Sequence, residues 1–234
     1  MQPDKLVLFD IDGTLLHCGS AARESLAEAL SEVTGSPLNL RLEDVAGNTD
    51  LGIIRTALER VGALERDPEQ TIKAVSEKYL EILKVKYPAR GDQYLYPGVE
   101  ELLQKVRERD DIRMGLLTGN LEQGAKVKLE PFGIWDDFTL GAFGSDSKDR
   151  NELPKIAWQK AREQLNEVYE ARQTMIIGDT PRDAVCAMKN STHSIIILRR
   201  DIWKEAVEVE NPDYIVDSTE NVEQLLEYII GYYP

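Results

Sequence analysis

Residues 5–15 constrain this chain more than any other segment. They run Lys5, Leu6, Val7, Leu8, Phe9, Asp10, Ile11, Asp12, Gly13, Thr14, Leu15. A short apolar run of this kind reads as a buried strand, and it ends in two carboxylates and a glycine turn. Side chains of a strand alternate, so Asp10 and Asp12 point the same way. Two like charges that close raise each other's pKa. A fold keeps such a pair when a cation neutralises it or when the two groups do different chemical jobs. A calcium loop is excluded by position: counted from Asp10, the sixth residue is Leu15 and the twelfth Ala21, where that loop needs glycine and glutamate.

The rest of the chain alternates. Strand-like runs fall at residues 6–9, 114–117, 138–142, 175–177 and 194–198, with a weaker one at 214–216. Helical patterns lie between them at 99–107, 123–131, 154–169, 181–189 and 222–230. Such alternation predicts an α/β fold with a parallel, Rossmann-like sheet and right-handed crossovers. Sites in these sheets form at the carboxyl ends of the strands. Asp10, Thr118 and Asp179 each follow a predicted strand, so they are expected to converge. The alternation breaks between 17 and 93, where three helices are predicted at 21–34, 49–61 and 68–87. Two units follow: an α/β core of 1–16 and 94–234, and an inserted all-helical unit of 17–93.

Asp10-Ile11-Asp12-Gly13-Thr14-Leu15 resembles the first motif of the haloacid dehalogenase superfamily. Leu116-Leu117-Thr118-Gly119-Asn120 resembles its second, and Ile176-Ile177-Gly178-Asp179-Thr180-Pro181-Arg182-Asp183 its fourth, in the right order. The insertion after the first strand resembles the helical cap of that superfamily, in the style of its phosphoglycolate phosphatase-like branch. The resemblance implies a magnesium-dependent phosphatase acting on a small phosphate monoester through an aspartyl-phosphate. A phosphomutase acting on a sugar phosphate is the alternative with the same residues.

Carried onto this chain, the resemblance makes Asp10 the nucleophile and Asp12 the general acid and then base. Asp10, the Asp12 carbonyl and Asp179 would bind Mg2+, with Asp183 as a further ligand or its support. Thr118 would donate to a phosphate oxygen, and backbone amides at Gly13, Gly119 and Asn120 would cradle the anion. The third motif supplies a cation for phosphate and Asp10. Its usual Lys-Pro pair is missing, which leaves Lys148, Arg150 and Lys155; alignment on the following helix favours Arg150, and spacing back from Asp179 brings Lys155 close. Asn48 or Thr49 caps a helix in the insertion, and His17 is placed to face the cleft.

Charge and composition narrow the partners. With 28 basic and 42 acidic residues the net charge is −14, which argues against nucleic acid. An acidic protein that takes a phosphate ester must supply positive potential locally. No run approaches the length needed to cross a membrane. The two cysteines, Cys18 and Cys186, read as reduced packing residues of a cytoplasmic protein. The expected partner is a small phosphorylated metabolite, with the chain a monomer or homodimer.

Overall fold

The computed structural model describes residues 2–64 and 67–231. The strands are β1 (Lys5–Phe9), β2 (Leu16–His17), β3 (Tyr94–Leu95), β4 (Ile112–Thr118), β5 (Gly141–Phe143), β6 (Thr174–Gly178), β7 (His193–Ile197) and β8 (Tyr214–Val216). The helices are α1 (Ala21–Thr34), α2 (Leu42–Val45), α3 (Asp50–Arg60), α4 (Pro68–Arg90), α5 (Val99–Arg107), α6 (Glu122–Leu129), α7 (Leu153–Lys160), α8 (Pro181–Asn190), α9 (Lys204–Val209) and α10 (Val222–Gly231). Six strands form one parallel sheet in the order β5-β4-β1-β6-β7-β8.

β1 lies at the centre and is buried along its whole length. Its side chains divide between two layers, as a strand's alternation requires. Val7 and Phe9 pack with Leu103 and Val106 of α5, Leu129 of α6 and Leu225 and Ile229 of α10. Leu6 and Leu8 pack with Leu153 and Ala157 of α7 and Cys186 and Ala187 of α8. Register aligns the carboxyl ends: Phe9 sits opposite Leu116 on one side and Ile177 on the other. Asp10, Thr118 and Asp179 therefore emerge along one edge, as the strand pattern predicts.

α1, α3 and α4 form the helical cap around their own apolar cluster. Leu26 and Leu30 of α1 meet Ile54 and Leu58 of α3 and Val75, Tyr79 and Leu83 of α4. Leu121 of the α/β part joins that cluster. The antiparallel pair β2–β3, with His17 opposite Tyr94, closes the base of the insertion. Thr49 is the N-cap of α3 and accepts from the Gly52 N–H at 3.1 Å.

Several expected boundaries move. β5 starts at Gly141, not 138, because the chain leaves a tight 3-10 turn at Trp135–Asp137 and gains its ladder only opposite Leu116. Phe138 instead sets its ring edge against Phe9. The helix expected over 154–169 stops regular winding at Lys160, widens through Ala161–Leu165 and ends at left-handed Asn166. α4 runs three residues past the expected stop, carrying Pro88 inside its last turn. α2 and α9 had no strong pattern, being four and six residues long. No helix among the described residues is long and apolar enough to cross a membrane.

Candidate active site

The site is assembled where β1, β4 and β6 end. Asp10, directly after β1, donates its own backbone N–H to the Ile177 carbonyl at 2.9 Å, which fixes it to the next strand. Gly13 then turns the chain with φ +88, and a Cβ there would lie 2.1 Å from an oxygen of Asp179. Glycine is needed at this position twice over, for the left-handed backbone and for contact with the carboxylate. Arg199 Nε donates to the Gly13 carbonyl at 2.6 Å while its guanidinium lies over the Tyr96 ring.

Asp10, Asp179 and Asp183 each offer an oxygen within 4.8 Å of the others, and all three are buried. Asp179 Oδ1 is buried with no hydrogen-bond partner among the described residues. Asp183 is differently used: Oδ2 accepts from Thr180 N at 3.0 Å and Oγ1 at 2.7 Å, capping α8, and Oδ1 accepts from Arg150. Burial and the Asp183 and Asp10 charges push Asp179 well above the usual carboxylate range. Burial lifts Asp10 to about 6 against the pull of Arg150. An orphaned oxygen among three crowded carboxylates is the donor set that a hard divalent cation fits. Asp179 and Asp10 face that point; Asp183 acts more through Arg150 and the helix cap.

Of the three candidate cations, the structure brings one to the site. Arg150 is buried, with Nη2 2.5 Å from Asp183 and 3.4 Å from Asp10. Its Nε is buried without a partner among the described residues. It stands on a 3-10 turn before α7 that Asp149 caps by accepting from Asn151 N. Lys155 does not reach the site. It lies one turn further on the exposed face of α7 and pairs with Glu152. Lys148 is exposed too, and its carbonyl accepts from the Thr49 hydroxyl.

Thr118 is fully buried, and its Oγ1 accepts from the Asn120 side chain at 2.8 Å, leaving its own proton to donate elsewhere. Asn120 also donates to Asp12 Oδ2 at 2.7 Å. A Cβ on Gly119 would meet the Asn48 carbonyl at 1.9 Å, so this glycine admits the cap loop. That loop is tied down on three sides. Asp50 N donates to the Gly119 carbonyl and its carboxylate accepts from Leu121 N at 2.8 Å. Arg182 Nη1 donates to the Ala46 carbonyl at 2.8 Å.

Sequence reasoning missed Lys128. This buried lysine of α6 reaches both oxygens of Asp12 and the Asn120 carbonyl oxygen. Burial opposes the charge on Asp12, but Lys128 and the hydrogen bonds outweigh it and hold Asp12 below its ordinary range. A signal existed: Lys128 shares the buried face of α6 with Gly124, Ala125 and Leu129. A lysine on an apolar stripe needs a partner. Asp10, Asp12, Gly13, His17, Thr118, Gly119, Asn120, Lys128, Arg150 and Asp179 all line one cavity of about 160 Å3 between core and cap.

The chain is similar to several known proteins. Phosphoglycolate phosphatase from Vibrio parahaemolyticus is 26% identical over 97% of this chain and 97% of its own. The enzyme of that name from Rhodospirillum rubrum is 26% identical over 78% of this chain and 75% of its own. A solved hydrolase from Pseudomonas syringae superposes with TM-score 0.70 at 17% identity, covering 96% of this chain and 99% of that one. CbbY from Rhodobacter sphaeroides, solved with phosphate, gives TM-score 0.66 at 17% identity over 95% and 96%. The haloacid dehalogenase-like hydrolase profile matches residues 5–187, most of the chain and every motif above. The chain belongs to the haloacid dehalogenase-like hydrolases.

Proposed function

We propose that this hydrolase is a magnesium-dependent phosphatase that cleaves a small phosphate monoester through an aspartyl-phosphate on Asp10. The observation that carries the reading is Asp10 itself: a buried carboxylate at a strand end, 3.4 Å from the Arg150 guanidinium, opening on a cavity it shares with Asp12 and Thr118. The relatives named phosphoglycolate phosphatases favour a short phosphorylated acid as substrate. The cap of 17–93 and the core of 1–16 with 94–234 are the two units of this proposal. A cytoplasmic location belongs to it too.

Asp10 attacks phosphorus, an oxygen–phosphorus bond forms, and the bond to the ester oxygen breaks. Thr118 and the amides after it hold the phosphoryl oxygens, and Arg150 balances their charge. The leaving oxygen takes a proton from Asp12, which first gains one from solvent as its pair with Lys128 loosens on substrate entry. In the second step Asp12 takes a proton from water as that water displaces phosphate from Asp10. Magnesium, held by Asp10, Asp179 and the Asp12 carbonyl with Asp183 in support, would supply charge neutralisation between nucleophile and phosphoryl group. The cap loop docked against Gly119 and Arg182 excludes bulk water.

The test is phosphate release from a panel of monoesters, with and without magnesium, for wild type and Asp10→Asn. Magnesium-dependent release that Asp10→Asn abolishes is expected. Transfer of the phosphoryl group to a sugar phosphate, with no release to water, would replace this reading with a phosphomutase.

A further inference from the structure

The turn that carries Arg150 is gripped from two sides. On one side α8 holds it: Asn190 Nδ2 donates to the Asn151 carbonyl at 2.8 Å, and Cys186 Sγ donates to the Arg150 carbonyl at 3.3 Å. On the other side the helical insertion reaches across. Thr49, buried at the start of α3, donates its hydroxyl to the Lys148 carbonyl at 2.7 Å, joining residues 99 positions apart. That carbonyl belongs to the peptide leading into Asp149, whose side chain caps the Arg150 turn through Asn151 N at 2.9 Å.

The first turn of α3 is shaped to receive that carbonyl. Thr49 Oγ1 accepts from Gly52 N through a lone pair and gives its proton to Lys148, so both capacities of the hydroxyl are engaged. Gly52 stands inside the first turn, where glycine is unfavourable relative to alanine. A Cβ there would lie 3.0 Å from the Lys148 carbonyl oxygen, closer than side chains ordinarily come. Gly52 therefore makes room for the carbonyl that Thr49 binds. Gly144 does the same for the neighbouring contact: its Cβ would lie 3.1 Å from Asp50 N and 1.9 Å from the Gly119 carbonyl that Asp50 N binds.

Arg150 depends on this support. Its Nε has no partner among the described residues, and among them only Nη2 is held, by Asp183, Asp10 and the Leu117 carbonyl. A guanidinium fastened at one nitrogen takes its direction from the backbone that bears it. Neither Thr49 nor Lys148 is among the residues lining the cavity, so neither acts on a substrate by touching it.

We propose that Thr49 is a positioning residue for Arg150: the seat of α3 on the Lys148 carbonyl sets where the guanidinium meets the phosphoryl group. The start of α3 and the third-motif cation are then one mechanical unit, and an α3 out of its seat leaves that cation misplaced. The inference rests on the phosphatase reading and adds to it a residue that reaches the phosphoryl oxygens only through Arg150.

The test follows phosphate release with magnesium for the full chain and its variants, on the panel ester that the wild type hydrolyses fastest. Arg150 meets charge that develops in the transition state, so misplacing it lowers kcat and leaves KM near its value. Thr49→Val is expected to lower kcat by about 10- to 100-fold with KM within about 2-fold. Thr49→Ser, which keeps the hydroxyl, restores kcat. Where Thr49→Val does not fold, Gly52→Ala keeps the hydroxyl, displaces the carbonyl and should lower kcat by about 3-fold. In an Arg150→Lys background, Thr49→Val should lower kcat by less than about 2-fold further. An equal loss in both backgrounds overturns the proposal, as does a rise in KM with kcat intact. The Arg150 Nε–H signal in nitrogen–proton NMR, identified by its disappearance in Arg150→Lys, reads the guanidinium independently of turnover. Thr49→Val is expected to shift it and Thr49→Ser to leave it in place; a signal unmoved by Thr49→Val overturns the proposal. If the wild type hydrolyses no ester, the phosphatase reading fails by itself, and this signal decides the role of Thr49.

Discussion

Lys128 Nζ lies 2.8 Å from Oδ1 and 2.6 Å from Oδ2 of Asp12, an ion pair of a buried lysine with a half-buried aspartate 116 positions away. Removing one partner leaves the other charge partly withdrawn from water and unpaired. Lys128→Met is expected to lower stability by about 1–3 kcal/mol. Asp12→Asn in the same chain should recover part of that loss, because the stranded charge is gone. Denaturant melts of the two single variants and the double variant measure the coupling. Additive losses would show that the pair does not act as a unit.

Arg150 and Lys155 are five residues apart and should behave in opposite ways. Arg150→Lys keeps the charge but loses the Nη2 that reaches both Asp183 and Asp10, and turnover is expected to fall by about 100-fold. Lys155→Met removes an exposed pair with Glu152, so stability should stay within about 0.5 kcal/mol and turnover should hold. Steady-state rates and thermal melts of the two variants check both. A large loss from Lys155→Met alone would reassign the third-motif cation.

Gly13→Ala puts a methyl group within 2.1 Å of Asp179 at a backbone φ of +88. The strain costs about 1–3 kcal/mol, and Asp179 must move. Magnesium affinity should fall more steeply than the melting temperature. Titration of the metal into the folded variant is the check, and unchanged affinity would refute the contact.

Burial lifts Asp10 to about 6 and pushes Asp179 well above the usual carboxylate range, so the metal-free site holds protons at mildly acidic pH. A metal ligand must be deprotonated, so magnesium binding at pH 6 should release protons. Apparent affinity should weaken as pH falls through 6. Calorimetry in two buffers of different ionisation heat counts the protons. Asp179→Asn should reduce the number.

Asp50 is pushed up to about 6 by burial, from an ordinary 3.8. Its folded form binds the proton more tightly than the unfolded chain does, so the folded state is favoured at low pH. That advantage is lost as pH rises from 3.8 through 6. Asp50→Asn keeps an oxygen for the Leu121 N–H and removes the charge. It should match the wild type near pH 4 and exceed it by about 1–3 kcal/mol at pH 8. Unfolding free energies at the two pH values test this, and a constant difference would refute it.

Elements bounded by strong local signals were legible. β1, β4 and β6 are short apolar runs closed by Asp, Gly or Thr, and α3 begins at Thr49, one of the two caps the pattern allows. Elements set by partners were not. β5 begins where Leu116 accepts it, and α7 ends where Asn166 turns left-handed. Neither event leaves a mark in hydrophobic periodicity, since one depends on a neighbouring strand and the other on a single backbone angle.

The sequence by itself determined the parallel sheet, the helical insertion and the carboxylates at the strand ends. Alternation and strand-end chemistry act over a few residues, and the chain states them directly. Tertiary structure decided which basic group serves each carboxylate: Arg150 for Asp10 and Asp183, Lys128 for Asp12, with Lys155 left in solvent. These ion pairs form at 2.5–3.4 Å between residues that chain order keeps far apart. Only the packing of α6 and α7 against the sheet brings those charges within reach.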